Sequence, residues 1–324
     1  MPSRDRIVSM SFSATSRMNR PTRRWMVSAG LASCTALPFL LGSCNGAGDG
    51  RKTIGVSLLT KEHIFYQNLL KALETEASAK GYRLVVNSGE WDLAKQQSQI
   101  ENFIVQKVDA MVVCPVNSKA VGPSIEKANT ANIPVFTADI RAESGKVVTH
   151  VGSDNFQGGQ LAGEFIAKAL NGKGKVGVIE QPVVESALQR TLGFEDAMKK
   201  YPDIQIVSKL NGDGVRDRSM KAAEDLLQGF RDVQAIFAIN DPSALGVLAA
   251  LQSRGRNDII VVGFDGDPEA ITLLEKGSSL KADIEQHPEE IGRTVIDVID
   301  KHLKGESVPE AVPVKVTIRE AAAK

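Results

Sequence analysis

From Thr53 onward the chain alternates short β-branched runs with longer stretches in which apolar residues return every three or four positions. The runs Thr53–Leu58, Arg83–Asn87, Ala110–Cys114, Val135–Ala138, Val148–Gly152, Val176–Ile179, Ile204–Ser208, Ala235–Ile239, Ile259–Phe264 and Leu280–Ile284 are predicted strands. Between them the period lengthens to that of an amphipathic helix. In Tyr66–Lys80, for instance, Leu69, Leu70, Leu73 and Ala77 share one face and Gly81 supplies the stop. Strand and helix in strict alternation predict an α/β fold with parallel sheets covered by helices.

The pattern also repeats. Val108-Asp109-Ala110-Met111-Val112-Val113 is echoed by Val233-Gln234-Ala235-Ile236-Phe237-Ala238, an offset of 125 residues (235 − 110). At that offset the run Ile133–Phe136 falls on the run beginning at Asp258, and Asp139 and Asp265 follow the two runs at nearly the same step. Two doubly wound lobes of one design account for this. In open α/β sheets ligands bind beyond the carboxyl ends of the strands, and polar residues collect there: Asp139, Asp154-Asn155, Asn240-Asp241 and Asp265. An isolated Asp after a strand reads equally as a turn or a helix cap, and Asp154-Asn155 and Asp241 fit that reading; recurrence in both halves points to a shared crevice.

The first 52 residues lie outside this pattern. Arg23-Arg24 precedes a short, interrupted apolar run, Trp25 to Leu41, and Leu41-Gly42-Ser43-Cys44 closes it. The order predicts an export signal over 1–44, cleaved before a lipidated Cys44, then a linker over 45–52. The arginine pair reads either as a twin-arginine motif or as the positive region of an ordinary signal, and Met10 and Met18 are alternative starts. The mature chain is therefore expected to work outside the cytoplasm, anchored to a membrane.

Composition narrows the function classes. Lys and Arg together number 39, as do Asp and Glu, and aromatics make up 5% of the chain, so nothing points to nucleic acid. With Cys34 in the signal and Cys44 lipidated, only Cys114 remains as a thiol in the mature chain, which excludes an internal disulfide and a cysteine metal site. His63, His150, His287 and His302 show no metal-ligand spacing, and no cofactor is expected. Gly172-Lys173-Gly174-Lys175-Val176-Gly177 has the dinucleotide-binding spacing but enters a strand instead of leaving one, so it is a turn. Neither a phosphate-binding loop nor a G-x-S-x-G elbow is present, and an enzyme is not expected. Asp139 and Asp265 as a glycosidase pair is the remaining enzymatic reading.

From Thr53 to about Glu320 the chain resembles the periplasmic sugar-binding proteins of ribose-binding type, which serve ABC importers. The resemblance rests on Phe65-Tyr66, Ala131-Asn132-Ile133-Pro134-Val135, Gly152-Ser153-Asp154-Asn155 with Gly158-Gly159, Arg190 before Gly193-Phe194, Asn240-Asp241 with Ala244-Leu245-Gly246, Val261-Val262-Gly263-Phe264-Asp265-Gly266, and Gln286 before Pro288. It implies a type I periplasmic binding protein fold, with three crossings near Gly152, Gln286 and the C-terminal segment. The lobes would be 53–152 plus 287–312 and 153–286 plus 313–324, with sugar held between them. Asp139 and Asp265 would accept hydroxyl bonds, Arg190 would donate a fork, and Asn240 and Gln286 would do both. Arg190 has a competing role as an ion-pair partner of Glu185 or Glu195. Phe65 and Tyr66 would cover the apolar face of the ring, with Phe65 turned to the cleft and Tyr66 packed beneath the first helix.

At matching positions His63 and Cys114 stand where ribose binders have Asn, Ile140 where they have Arg, and Gly214 where they have an aromatic ring. The ligand set implied is His63, Phe65, Tyr66, Trp91, Cys114, Asp139, Arg141, Asn155, Arg190, Asn240, Asp265 and Gln286. In it Arg141 partly restores the lost fork and Trp91 the lost ring. These departures argue against ribose and for another monosaccharide, a polyol or a related hydroxylated molecule. The expected protein is a monomeric, lipid-anchored substrate-binding protein that hands its ligand to an ABC permease; the alternative is a sensor subunit for a membrane kinase or chemoreceptor. A LacI-type regulator is set aside, because an export signal stands where its DNA-binding helices would be.

Overall fold

A computed structural model describes residues 50–322; the predicted export segment, Cys44 and the linker before Gly50 lie outside the described residues. The first half runs β1 (Thr53–Leu58), α1 (Ile64–Ala79), β2 (Arg83–Ser88), α2 (Leu93–Gln106), β3 (Ala110–Val113), α3 (Gly122–Thr130), β4 (Val135–Ala138) and β5 (His150–Ser153). The second runs α4 (Asn155–Ala169), β6 (Lys173–Glu180), α5 (Glu185–Met198), β7 (Asp203–Asn211), α6 (Arg216–Gly229), β8 (Ala235–Ala238), α7 (Asp241–Ser253), β9 (Ile260–Asp265), α8 (Pro268–Glu275) and β10 (Leu280–Glu285). The chain ends with α9 (Pro288–Leu303), β11 (Ala311–Val314) and β12 (Thr317–Glu320). All ten predicted strands form, with ends displaced by a few residues, and the motif at Gly172 is indeed the turn into β6. Strands β11 and β12 are additions that the hydrophobic pattern does not predict.

The strands make two sheets of identical order, β11-β5-β4-β3-β1-β2 and β12-β10-β9-β8-β6-β7. Each is the doubly wound arrangement that right-handed strand-helix-strand units produce. The repeat offset is thus structural: β3 corresponds to β8 and β4 to β9. The sheets differ at one edge, where β11 runs parallel to β5 but β12 runs antiparallel to β10. Every residue of β1, β3, β4 and β8 is buried, as expected for central strands covered on both faces.

The chain passes between the sheets three times: from β5 into α4, from β10 through Gln286 and His287 into α9, and from β11 into β12. Ser153 and Gln286 tie the first two passages together, the serine hydroxyl donating to Gln286 Oε1 at 2.7 Å. Close helix packing then fixes the wall of the second lobe. A Cβ on Gly159 in α4 would collide with the backbone carbonyl of Arg190, and one on Gly193 in α5 with that of Phe156. These glycines let α4 and α5 approach backbone to backbone, which holds Arg190 at a fixed depth.

Candidate functional site

The carboxyl ends of the two sheets face each other across a narrow cavity of about 40 Å³, well below the usual range for small-molecule sites, as expected of two lobes closed on each other. Asp139 follows β4 and Asp265 ends β9, and both have positive φ, 63° and 132°. A non-glycine residue is held there only when its surroundings demand it, so both lobes spend backbone strain on aiming a carboxylate. After Asp139 the chain doubles back, Ile140 N–H donating to the Ala138 carbonyl at 2.7 Å. This turn directs Ile140 into the cavity and sends Arg141 elsewhere.

Of the residues implied by sequence, His63, Phe65, Tyr66, Trp91, Asp139, Arg190, Asn240, Asp265 and Gln286 line the cavity. Three do not. Cys114 is fully buried in the core of the first lobe, where burial and the charge of Asp139 push its thiol well up. Arg141 is exposed and lines a separate cleft of about 310 Å³ together with Glu185 and Asn155. Asn155 is buried beside Arg190 and orients it, its Oδ1 accepting from Arg190 Nε at 2.8 Å. The division between Phe65 and Tyr66 also needs correcting. Both rings line the cavity, and it is the Tyr66 hydroxyl that makes the polar contact, donating to Asp139 Oδ2 at 2.6 Å. Sequence reasoning did not single out Leu59, Gln181, Val184, Ser186 and Ala187, which complete the wall. Gln181 follows β6 directly, so the strand-end rule applies to it too. Gly214, with φ 68°, sits where a Cβ would come within 2.5 Å of Gln181 Oε1.

Polar contacts concentrate on Asp265. Its Oδ1 accepts from Arg190 Nη1 at 3.1 Å and from Gln286 Nε2 at 2.6 Å. Its Oδ2 faces His63 Nε2 at 3.3 Å and the Asp241 N–H at 3.4 Å. Burial pushes this carboxyl upward, but the charge of Arg190 and the bonds from His63 and Gln286 hold it below the ordinary carboxylate range. Arg190 therefore pairs with Asp265 and with neither Glu185 nor Glu195, and its guanidinium lies 3.8 Å over the Phe264 ring. Asp139 receives only the Tyr66 hydroxyl, and its Oδ1 has no partner. Burial pushes it up to about 6 against the pull of Tyr66 and Arg190.

Behind Asp265 lies a second tier of carboxyls. Asp241 accepts from the Asp267 N–H at 2.6 Å and Asp283 from the Gly266 N–H at 3.0 Å, which fixes the turn after β9. Burial raises Asp241 well above its usual value, with the charge of Asp283 adding to the rise, and burial pushes Asp283 up to about 7. Burial and the charge of Asp265 push Asp267 up to about 7. Burial alone would lower His63, but Asp265, Asp267 and Asp139 more than reverse it.

His63, Asp265 and Asp267 converge within 4.8 Å, a grouping that spacing along the chain cannot reveal, since His63 comes from the other lobe. These atoms are already committed. His63 Nδ1 caps α1 by accepting from the Phe65 N–H at 3.2 Å, and its Nε2 faces Asp265. The donor set therefore suits a link between lobes better than a metal. The same closed arrangement is held at the rim, where the Glu185 N–H donates to Ser118 Oγ at 3.0 Å.

Residues 54–307 match the model of the periplasmic binding protein domain family. The ribose import binding protein of Bacillus subtilis is 37% identical over 284 residues, covering 87% of this chain and 92% of that protein. The xylitol-binding protein of Mycolicibacterium smegmatis is 28% identical over 285 residues, 86% of this chain and 81% of that protein. An ABC transporter solute-binding protein from Mycobacterium smegmatis, solved with bound glycerol, has a TM-score of 0.80 at 33% identity and covers 84% of this chain and 95% of that one. The chain belongs to the periplasmic binding protein family, in its ribose-binding branch, and is a substrate-binding transport protein of type I fold, not an enzyme.

Proposed function

We propose that the protein captures a sugar or polyol other than ribose between its lobes and presents it to an ABC importer outside the cytoplasm. The observation that carries this reading is the cavity itself, in which a carboxylate from each lobe, one guanidinium and three aromatic rings converge. Hydroxyls satisfy such acceptors and donors, and the apolar C–H faces of a sugar suit the rings. The relatives named for ribose and xylitol, and the neighbour solved with glycerol, support a hydroxylated ligand. Ile140 in the wall, where a second guanidinium would be needed, and Gly214, where a ring would be, argue for a ligand other than ribose.

The lobes proposed are 53–152 plus 287–312 and 153–286 plus 313–324. Ligand touching both faces favours the closed form, by the hinge closure general among periplasmic binding proteins, and the closed form is what a permease engages. No helix among the described residues is long and apolar enough to cross a membrane. Attachment is assigned to a lipid on Cys44, so Cys44→Ala is expected to release the protein from membranes in a cell-fractionation assay.

A thermal-shift panel of pentoses, hexoses and polyols tests the ligand class. Ligand at a hundredfold excess over its dissociation constant stabilises by about 2.7 kcal/mol, which moves the midpoint visibly. A shift with one class, lost in Asp265→Ala, supports the reading. No shift with any hydroxylated compound rejects it, and a largest shift with ribose rejects the exclusion of that sugar.

A further inference from the structure

The polar groups of the cavity are largely spent on one another. Asp265 faces four protein donors. Asn240 accepts from the Ser243 N–H and donates to the Gly214 carbonyl. Gln286 is held at both ends, by Ser153 and by Asp265. Arg190 gives Nε to Asn155 and Nη1 to the Ile239 carbonyl and Asp265. Among the fully buried polar atoms of the lining residues one is left without a partner: Asp139 Oδ1, in a residue only 4% exposed.

Charge is unbalanced in the same direction. Asp139, Asp241, Asp265 and Asp283 are buried, with Asp267 half-buried beside them. Against them stands Arg190, the one Lys or Arg lining the cavity among the described residues, and it is bonded to Asp265. His63 Nδ1 accepts a backbone N–H and its Nε2 faces Asp265, so its donor is committed there and not to Asp139. Ile140, next to Asp139, contributes an apolar wall. A neutral hydroxyl would satisfy the hydrogen bond of Asp139 Oδ1 and leave its charge uncompensated. A protonated amine would satisfy both, and the rings of Phe65, Tyr66 and Trp91 line the same cavity.

We infer that the ligand is a small hydroxylated molecule carrying a protonated amine, an amino sugar or amino polyol, whose ammonium sits on Asp139 Oδ1 within the aromatic wall. This rests on the reading of the cavity as the ligand site and narrows its ligand class. Asp139 selects by charge, while the second lobe, already saturated, contributes shape and a few remaining donors.

The test is calorimetric titration of the full chain, at neutral pH, with matched pairs: glycerol and serinol, glucose and glucosamine, galactose and galactosamine, xylitol and its terminal amino analogue. In at least one pair the amine is expected to bind about tenfold tighter or better, the gain of a charge-assisted over a neutral hydrogen bond in a desolvated site. In Asp139→Asn, which keeps an acceptor but loses the charge, that preference should collapse. A neutral member that binds as tightly as its amine in every pair that binds overturns the inference and leaves the cavity reading standing. So does an amine preference that survives in Asp139→Asn. If neither these pairs nor any neutral sugar of the thermal panel binds, the cavity reading falls and the inference with it. The ratio within the native protein is decisive even where the variant does not fold.

Discussion

Asp139 and Asp265 occupy equivalent places in two sheets of the same order, each at the carboxyl end of a largely buried strand and each with positive φ, yet their chemistry has diverged. Asp265 is held below the ordinary carboxylate range by Arg190, Gln286 and His63. Asp139 has the Tyr66 hydroxyl alone and is pushed up to about 6 by burial. A repeated backbone thus supplies two strand-end carboxylates, and the side chains around each decide its use. One is an organising centre that ties α5, the hinge passage at Gln286 and the opposite lobe together. The other lines the cavity with one oxygen unpartnered. Asymmetry between two copies of one design is the physical content of the site.

The comparison breaks most severely at Arg190. Replacing it with Met leaves Asp265 buried without its cation, and losing one partner of a buried pair costs about 3–5 kcal/mol. The expected outcome in denaturant is a midpoint lowered accordingly, together with loss of ligand binding and a rise in the Asp265 pKa followed by NMR. A loss below about 1 kcal/mol would mean that the pair is solvated and that Asp265 is not the organising centre.

Asp139→Asn sharpens the contrast from the other side, because here removing charge should stabilise. The folded pKa of about 6 lies above the unfolded value, so the carboxyl favours folding only where it is protonated. That contribution is fully present below about pH 4 and is lost as pH rises through about 6. Asn does not titrate and keeps an acceptor for Tyr66. The unliganded variant should therefore exceed the native protein by about 3 kcal/mol at pH 8, with the difference vanishing toward pH 4. Asp267 and Asp283 also titrate near 7 but are common to both proteins, so the difference reports Asp139. Equal stabilities at pH 8 would show that Asp139 is already compensated. A smaller effect is expected for His63→Ala, which removes the bond from the first lobe to Asp265: about 2 kcal/mol in stability and a larger radius of gyration in solution scattering as the lobes part.

Much of this was legible before the structure. The alternation of strand and helix, the internal repeat, and the placing of Asp139 and Asp265 at strand ends follow from local pattern, which survives in a linear sequence, whereas Arg190 came from the resemblance to sugar-binding proteins. What was missed depends on contacts distant along the chain. Strands β11 and β12 are short, largely exposed edge strands that exist only because β5 and β10 offer an edge. Arg141 was placed in the cleft by proximity to Asp139, but the turn at Asp139 sends successive side chains to different faces, and Ile140 takes the inner one. Cys114 matched by position, yet its side chain is absorbed in the core behind Tyr66. The saturation of Asn240 is likewise invisible in sequence, since its partner Gly214 lies on a separate loop.

Tyr66→Phe makes the smallest expected change and bears most directly on why Asp139 differs from Asp265. It removes the single donor that Asp139 has, leaving both carboxylate oxygens buried without partners. A buried carboxylate that loses its donor can take up a proton, and with a starting pKa of about 6 that escape limits the cost near pH 7 to about 1.4 kcal/mol. The penalty should accordingly grow above pH 7 and fade toward pH 5, where the acid form prevails in both proteins. In the Asp139→Asn background the hydroxyl bonds a neutral acceptor, so the same substitution should cost less and lose its pH dependence, which a double-mutant cycle reads directly. A pH-independent cost of equal size in both backgrounds would assign Tyr66 to packing, and the difference between the two carboxylates would then rest on burial alone.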